Sequence, residues 1–263
     1  MFHRFIRVLL AVGGVLSITP TVQADSMINM DTVAKVAFIP STEVVPPLNP
    51  NHPQLTDPLT PADDGPQFNS AGPLSLDFVS SFNFGKHPVT NQTVTYQALA
   101  QQDYTQDKKL ITVPNYVQVT DNRGSDAGWA LKVRQNGQFS NPTAQFKQLS
   151  GAEINLLNPE LIGITDAMQP AAQSVQLNPD GTEAVVMAAA VGTGMGTWIN
   201  RFGNQDQLIT QPGKADAHVN QPTKIQEMLV NPAVTLTIPG TTPRDAKDYS
   251  TTLTWILTNT PIN

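Results

Sequence analysis

The side chains that could act in acid–base or metal chemistry are few and lie far apart in the sequence. His52 falls in a proline-rich stretch, His87 precedes a proline, and His218 lies in a polar segment. No pair of histidines, and no histidine with a glutamate, has the spacing of a zinc-binding motif. Because the chain also lacks cysteine, we predict no metal site.

Four aspartates form two pairs that could serve as a general acid and base. Asp121 with Asp126, and Asp245 with Asp248, lie in turn-like contexts. The first pair could also bind calcium, but its spacing differs from that of the common calcium loop, so a plain turn is favoured. A hydrolase could hide a pair that only folding brings together, yet no nucleophile, base and orienting group can be named. We therefore predict no catalytic residues and no cofactor, and hence no enzyme activity.

A glycine run, Gly192–Gly196, resembles a nucleotide-binding loop only superficially. Its spacing is wrong for a dinucleotide fingerprint, and it lacks the Gly-Lys-Ser/Thr of a phosphate loop. The run follows a predicted buried strand at residues 185–191. We therefore interpret it as a tight passage of the backbone.

The low charge of the chain limits its partners. It has 15 Lys and Arg against 21 Asp and Glu, a net charge of -6, so it lacks the basic stripe that nucleic-acid backbones require. Much of its polar surface must be uncharged Gln, Asn, Thr and Ser. Such a surface suits neutral, hydroxyl-rich polymers such as wall glycans, although a solvated extracellular β-protein has the same composition.

Period-two alternation of apolar and polar residues, broken by turn residues, dominates the chain after Gly72 and predicts antiparallel strands. The only helical signal, at Lys224–Val230, is weak. We predict an all-β fold, either an antiparallel sandwich or an irregular barrel with long loops. The predicted strands are Leu74–Phe78, Thr93–Leu99, Asn115–Thr120, Gly128–Arg134, Ala152–Leu157, Ala184–Ala190, Ala233–Ile238 and Ser250–Thr258.

Two of these strands carry a Trp-x-Leu motif. Alternation places Trp129 and Leu131 on one face of the first strand, and Trp255 and Leu257 on one face of the last. Exposed tryptophans could stack on sugar rings as a binding site. Both faces are wholly apolar, however, which favours packing in the core over ligand contact.

These paired motifs, the second in the last strand, resemble the WxL family of Gram-positive cell-surface proteins. The likeness covers roughly residues 66–263. It implies export, binding of peptidoglycan through this domain, and association with membrane-anchored WxL-interacting proteins. An alternative is a structural subunit of a surface complex that docks on such a membrane-anchored partner and binds little glycan itself. Further segments that look like WxL sequence are Gly72–Phe78, Gln118–Gly124, Gly194–Trp198 and Val234–Gly240.

The sequence before the domain divides into two parts. Residues 1–24 have a basic start, an apolar stretch and a small-residue cleavage site at Val22-Gln23-Ala24, which predicts a cleaved secretory signal. Residues 25–65 are expected to be an N-terminal arm and a proline-rich, extended or disordered spacer. The end at Asn263 has no apolar tail or basic stop, so we expect a secreted protein held non-covalently at the cell wall, with residues 66–263 as its domain.

Overall fold

The computed structural model describes residues 29–62, 70–212 and 227–261. This part of the chain is nearly all β, with sixteen strands and one 3-10 helix at Gln205–Gln207. The strands are β1 Thr60–Pro61, β2 Leu74–Val79, β3 Val94–Leu99, β4 Gln101–Tyr104, β5 Leu110–Val113, β6 Tyr116–Asp121, β7 Trp129–Gln135, β8 Glu153–Leu156, β9 Pro159–Gly163, β10 Ala171–Ala172, β11 Val175–Leu177, β12 Ala184–Ala189, β13 Gly196–Phe202, β14 Ile209–Pro212, β15 Glu227–Ile238 and β16 Leu253–Thr258.

The strands form four small antiparallel sheets arranged in a ring, which confirms the predicted all-β fold. One sheet has the order β2-β6-β13-β9, and another has the order β10-β12-β7-β16. In the third, β11, β8, β15 and β14 follow one another and β3 also pairs with β15. The fourth is the small sheet β1-β4-β5.

Strand β6 separates two apolar clusters, because alternate side chains of a strand point to opposite faces. Val117 and Val119 face the main core, which also contains Trp129, Leu131 and residues of the other large sheets. Tyr116 faces a smaller cluster formed with Leu48, Phe78, Val113 and Ile199. Burial on both faces explains why β6 has no exposed residue.

The proline-rich stretch differs from the expected spacer. Leu48 and Leu59 are buried, and β1 pairs with β4. Gln118 ties this backbone to β6: its Oε1 accepts from Leu48 N at 2.9 Å, and its Nε2 donates to the Pro46 carbonyl at 3.0 Å. Residues 45–61 are therefore part of the folded domain, and the spacer prediction is wrong for them.

The boundaries of the domain also differ from the predicted ones. The compact unit begins at Phe38, well before the boundary expected at residue 66. Residues 29–37 form no strand and are exposed, as expected of an arm. The predicted signal sequence, residues 1–24, lies outside the described residues.

All eight predicted strands are present, with ends shifted by a few residues. The weak helix prediction is wrong where it can be compared, because residues 227–230 lie in β15 and pair with β14; residues 224–226 lie outside the described part. Helix propensity here is overridden by pairing with a distant strand. Sequence alternation missed the other eight strands: β1, β4, β5, β9, β10, β11, β13 and β14.

A carboxylate, Asp77, is buried where the proline-rich segment joins the domain. It accepts hydrogen bonds from Ser75 Oγ at 2.5 Å, Thr120 Oγ1 at 2.5 Å and Gln118 Nε2 at 3.0 Å. Burial raises the pKa of Asp77 to about 6, against these hydrogen bonds, which lower it. The folded protein therefore binds a proton near pH 5 that the unfolded chain releases.

This shift predicts that acidification stabilises the site. Between the ordinary pKa of 3.8 and about 6, the folded state holds more protons than the unfolded state, so the free energy of unfolding falls as pH rises. The loss from Asp77 should total about 2 kcal/mol between pH 4 and pH 7. Urea unfolding of the wild type and Asp77→Asn across this range measures it, since the variant lacks this titration. Parallel pH profiles for the two proteins would contradict the assignment.

Candidate functional site

The two Trp-x-Leu strands are neighbours in one sheet. β7 and β16 pair antiparallel, with Val133 opposite Trp255 and Leu131 opposite Leu257. Directly opposed residues point to the same face of a sheet. The two motifs therefore form a single apolar layer, which packs against the main core.

The two tryptophans lie in different surroundings. Trp129 and Leu131 are fully buried, so they cannot touch a ligand at the surface. Trp255 and Leu257 are only partly buried, because β16 pairs with no described strand other than β7 and lies at the edge of its sheet. The residues predicted as one motif thus separate into a core pair and an edge pair.

Buried indoles also hold the glycine run. Trp129 Nε1 donates to the Gly194 carbonyl at 3.0 Å, and Trp198 Nε1 donates to the next carbonyl, Met195, at 3.0 Å. Gly194 has a φ of 78°, and a Cβ there would lie 2.4 Å from the Ala189 Cβ and 2.9 Å from Trp129 Nε1. The run is the tight passage that the sequence predicted, and it covers both rings.

At the other end of the motif strands, the loop after β7 is joined to the loop before β16. Ser140 and Ser250 exchange two backbone hydrogen bonds. Asn136 Nδ2 donates to the hydroxyls of Thr252 and Thr254. Because β7 and β16 are antiparallel, the end of one and the start of the other meet at the same edge. The pairing of the motif strands therefore brings these two long loops together.

A groove of about 670 Å³ lies between these loops and the segment before β3. Its position depends on a close backbone approach at Gly240, where a Cβ would lie 2.4 Å from the Asn91 carbonyl oxygen. Gly240 N also donates to Thr93 Oγ1 at 3.0 Å. The residues that line the groove are Val89, Thr90, Asn91, Phe146 and Gly240–Arg244.

Phe146 is the aromatic side chain of this groove and is 39% exposed. The Tyr249 hydroxyl donates to the Phe146 carbonyl at 2.6 Å, and Gln145 N donates to a carboxylate oxygen of Asp245. Val89, 53% exposed, adds a second apolar surface. The loop that carries the ring is thus fixed by the loop before β16.

Uncharged polar groups flank this apolar surface. The side chains of Asn91 and Thr241 are exposed and bond to no described residue. The guanidinium of Arg244 instead donates to the backbone carbonyls of Thr242 and Pro239. The groove therefore offers an apolar platform, a free amide and a free hydroxyl, which suits a neutral ligand rich in hydroxyl groups.

Of the groove residues, sequence reasoning named only Gly240, as the end of a WxL-like segment. The available signal was weak, because Phe146 is one of two aromatic residues, with Phe139, in the loop after β7. Alternation does not show which loops meet in space, so this signal could not be interpreted without the pairing of β7 with β16.

One carboxylate of each candidate acid–base pair is engaged by the chain itself. Asp121 pairs with Arg123 at 2.7 Å, and Asp245 accepts from a backbone amide as described above. Across residues 29–62, 70–212 and 227–261, no three acidic or histidine side chains are grouped as metal ligands. The same ranges contain no helix long and apolar enough to cross a membrane.

Comparison with protein families gives one match. The family described as "WxL domain surface cell wall-binding" matches residues 25–261, nearly the whole chain. Comparisons with curated proteins and with solved structures gave no match. The chain therefore belongs to the WxL family and is a surface protein that binds the cell wall.

Proposed function

We propose that the protein is exported and attaches non-covalently to the wall by binding the glycan of peptidoglycan in the groove beside Phe146. The supporting observation is the exposed ring of Phe146 with the free side chains of Asn91 and Thr241 beside it. An aromatic ring offers the apolar face of a sugar a flat surface, and nearby amide and hydroxyl groups can bond its hydroxyls. The WxL family match supports the wall as the place of binding.

The charge of the groove agrees with a neutral ligand. Arg244 is the only ionisable residue that lines it, and two of its nitrogens are bonded to carbonyls of its own loop. With a net charge of -6, the chain offers little attraction to anionic wall polymers. Contacts with uncharged sugar units therefore fit this surface best.

Phe146→Ala should weaken binding to purified peptidoglycan sacculi by roughly tenfold or more, because it removes the stacking surface. The free energy of unfolding should fall by only about 1 kcal/mol, since Phe146 is 39% exposed. Cosedimentation with partner-free sacculi measures binding, and thermal melts measure stability. Tyr104→Ala is the matched control, because Tyr104 is a similarly exposed aromatic outside the groove. Equal retention of both variants would contradict the groove assignment.

A second candidate function, docking on a membrane-anchored partner, is favoured by an apolar cluster at the opposite end of β7. Met168 and Val191 are largely exposed there and Met195 is 40% exposed, and Gly194 N donates to the Met168 carbonyl at 2.8 Å. Exposed apolar clusters commonly mark protein contacts. If sacculi without partner proteins fail to retain the wild-type chain, this structural role replaces direct glycan binding.

We propose that binding is not accompanied by catalysis. One member of each predicted carboxylate pair, Asp121 or Asp245, is held by the chain, so neither pair offers two free carboxylates as acid and base. Sacculi incubated with the protein should therefore keep their turbidity, as they do in buffer alone. A steady loss of turbidity would instead indicate a wall hydrolase.

A further inference from the structure

The last strand, β16, has one edge that pairs with no described strand. Asn136 N donates to the Thr252 carbonyl at 2.9 Å. This bond shows which residues of β16 direct their peptide groups toward β7. In an antiparallel pair, only every second residue directs its N–H and C=O toward the neighbouring strand. The peptide groups of Leu253, Trp255 and Leu257 therefore point away from β7, and no described residue bonds to them.

This edge lacks the features that usually prevent strands from adding to a sheet. β16 contains no charged residue and no proline, and no bulge interrupts its register with β7. The side chains of Leu253, Trp255 and Leu257 are only partly buried. A strand added here could form hydrogen bonds with the outward peptide groups of these three residues. It would also cover apolar side chains that now contact water.

The chain also contains a segment suited to be that strand. Residues 32–39 have no strand partner, and the first backbone hydrogen bond of the described chain is the one from Ser41 N to the Asn122 carbonyl. Val33, Val36, Phe38 and Ile39 are each at least 77% exposed. β-Branched and aromatic residues of this kind favour strands, and their exposure to water is unfavourable.

We propose that residues 32–39 of one copy add as a strand to the β16 edge of a second copy. The eight residues are long enough to pair along all six residues of β16. Lys35 is the only charge in the segment and meets none on β16, so no repulsion opposes pairing. The segment and the β16 edge are different surfaces of the chain. Each copy can therefore bind the segment of one neighbour on its edge and offer its own segment to another neighbour, so assembly continues head to tail.

The test uses the chain that begins at Asp25, in sedimentation velocity over about a hundredfold range of concentration. The wild type should form species larger than a dimer as concentration rises. Val36→Ser with Phe38→Ser in the segment, or Ile256→Lys on the edge strand, should weaken association about tenfold or more, since lysine protects natural edges. Leu55→Ser with Leu110→Ser is the matched control, because it removes exposed apolar side chains outside the segment, the edge and the groove.

A second measurement separates loss of pairing from loss of folding. A synthetic peptide of residues 32–39, added in excess to the wild type, should dissociate the assemblies, while a scrambled peptide should not. The proposal is overturned if the wild type stays monomeric throughout. It is also overturned if the segment variant associates like the wild type, even where Ile256→Lys does not, because the edge would then pair with something other than this segment.

Discussion

Trp129→Ala should lower the free energy of unfolding by about 3–5 kcal/mol, whereas Trp255→Ala should lower it by only about 1–2 kcal/mol. Trp129 is fully buried, and its indole N–H bonds to the Gly194 carbonyl, so alanine leaves a cavity and an unpaired acceptor. Trp255 lies on the edge strand and already contacts water, so its removal costs less. The two motif residues should therefore differ although their sequence contexts are alike.

Urea unfolding followed by circular dichroism measures both values, because fluorescence would change with each lost tryptophan. Trp129→Phe is an informative control: it keeps most of the apolar volume but loses the hydrogen bond to Gly194, and should fall between wild type and alanine. Binding to sacculi should be lost in Trp129→Ala only under conditions in which the domain unfolds. A stably folded Trp129→Ala protein without wall binding would show that this residue acts on the ligand site directly.

Leu48→Ala should cost about 2–5 kcal/mol of folding stability, even though Leu48 lies in the proline-rich segment. Its side chain is fully buried against Phe78, Tyr116 and Ile199 in the smaller apolar cluster. Leu55→Ala, in the same segment but with an exposed side chain, should change stability by less than about 0.5 kcal/mol. The contrast tests whether the segment is part of the folded domain.

Limited proteolysis gives an independent measurement of the same point. In the wild type, residues 45–61 should resist cleavage, because backbone that is paired and packed is poorly accessible to proteases. Leu48→Ala should make the segment cleavable. Rapid cutting of the wild-type segment, together with no effect of Leu48→Ala on unfolding, would restore the view of a simple tether.

Local pattern was sufficient for eight of the sixteen strands and for the family. Alternation located Gly128–Arg134 and Ser250–Thr258 because one face of each strand must meet the core while the other meets polar surroundings. It also placed Trp129 with Leu131, and Trp255 with Leu257, on common faces, as observed. The glycine run was correctly interpreted as a tight turn, because its spacing matched no phosphate-binding loop.

Tertiary structure decided which strands pair, and with that the location of the candidate site. The two-residue alternation of a strand shows which of its side chains share a face. It does not show which strands become neighbours or which strand lies at an edge. Trp129 is therefore core and Trp255 peripheral only because β12 and β16 flank β7, whereas β16 has a single described neighbour. The proline-rich segment packs because a distant amide, Gln118, bonds its backbone. The groove beside Phe146 likewise exists because antiparallel pairing of β7 with β16 joins loops about a hundred residues apart in sequence, a relation that no local pattern contains.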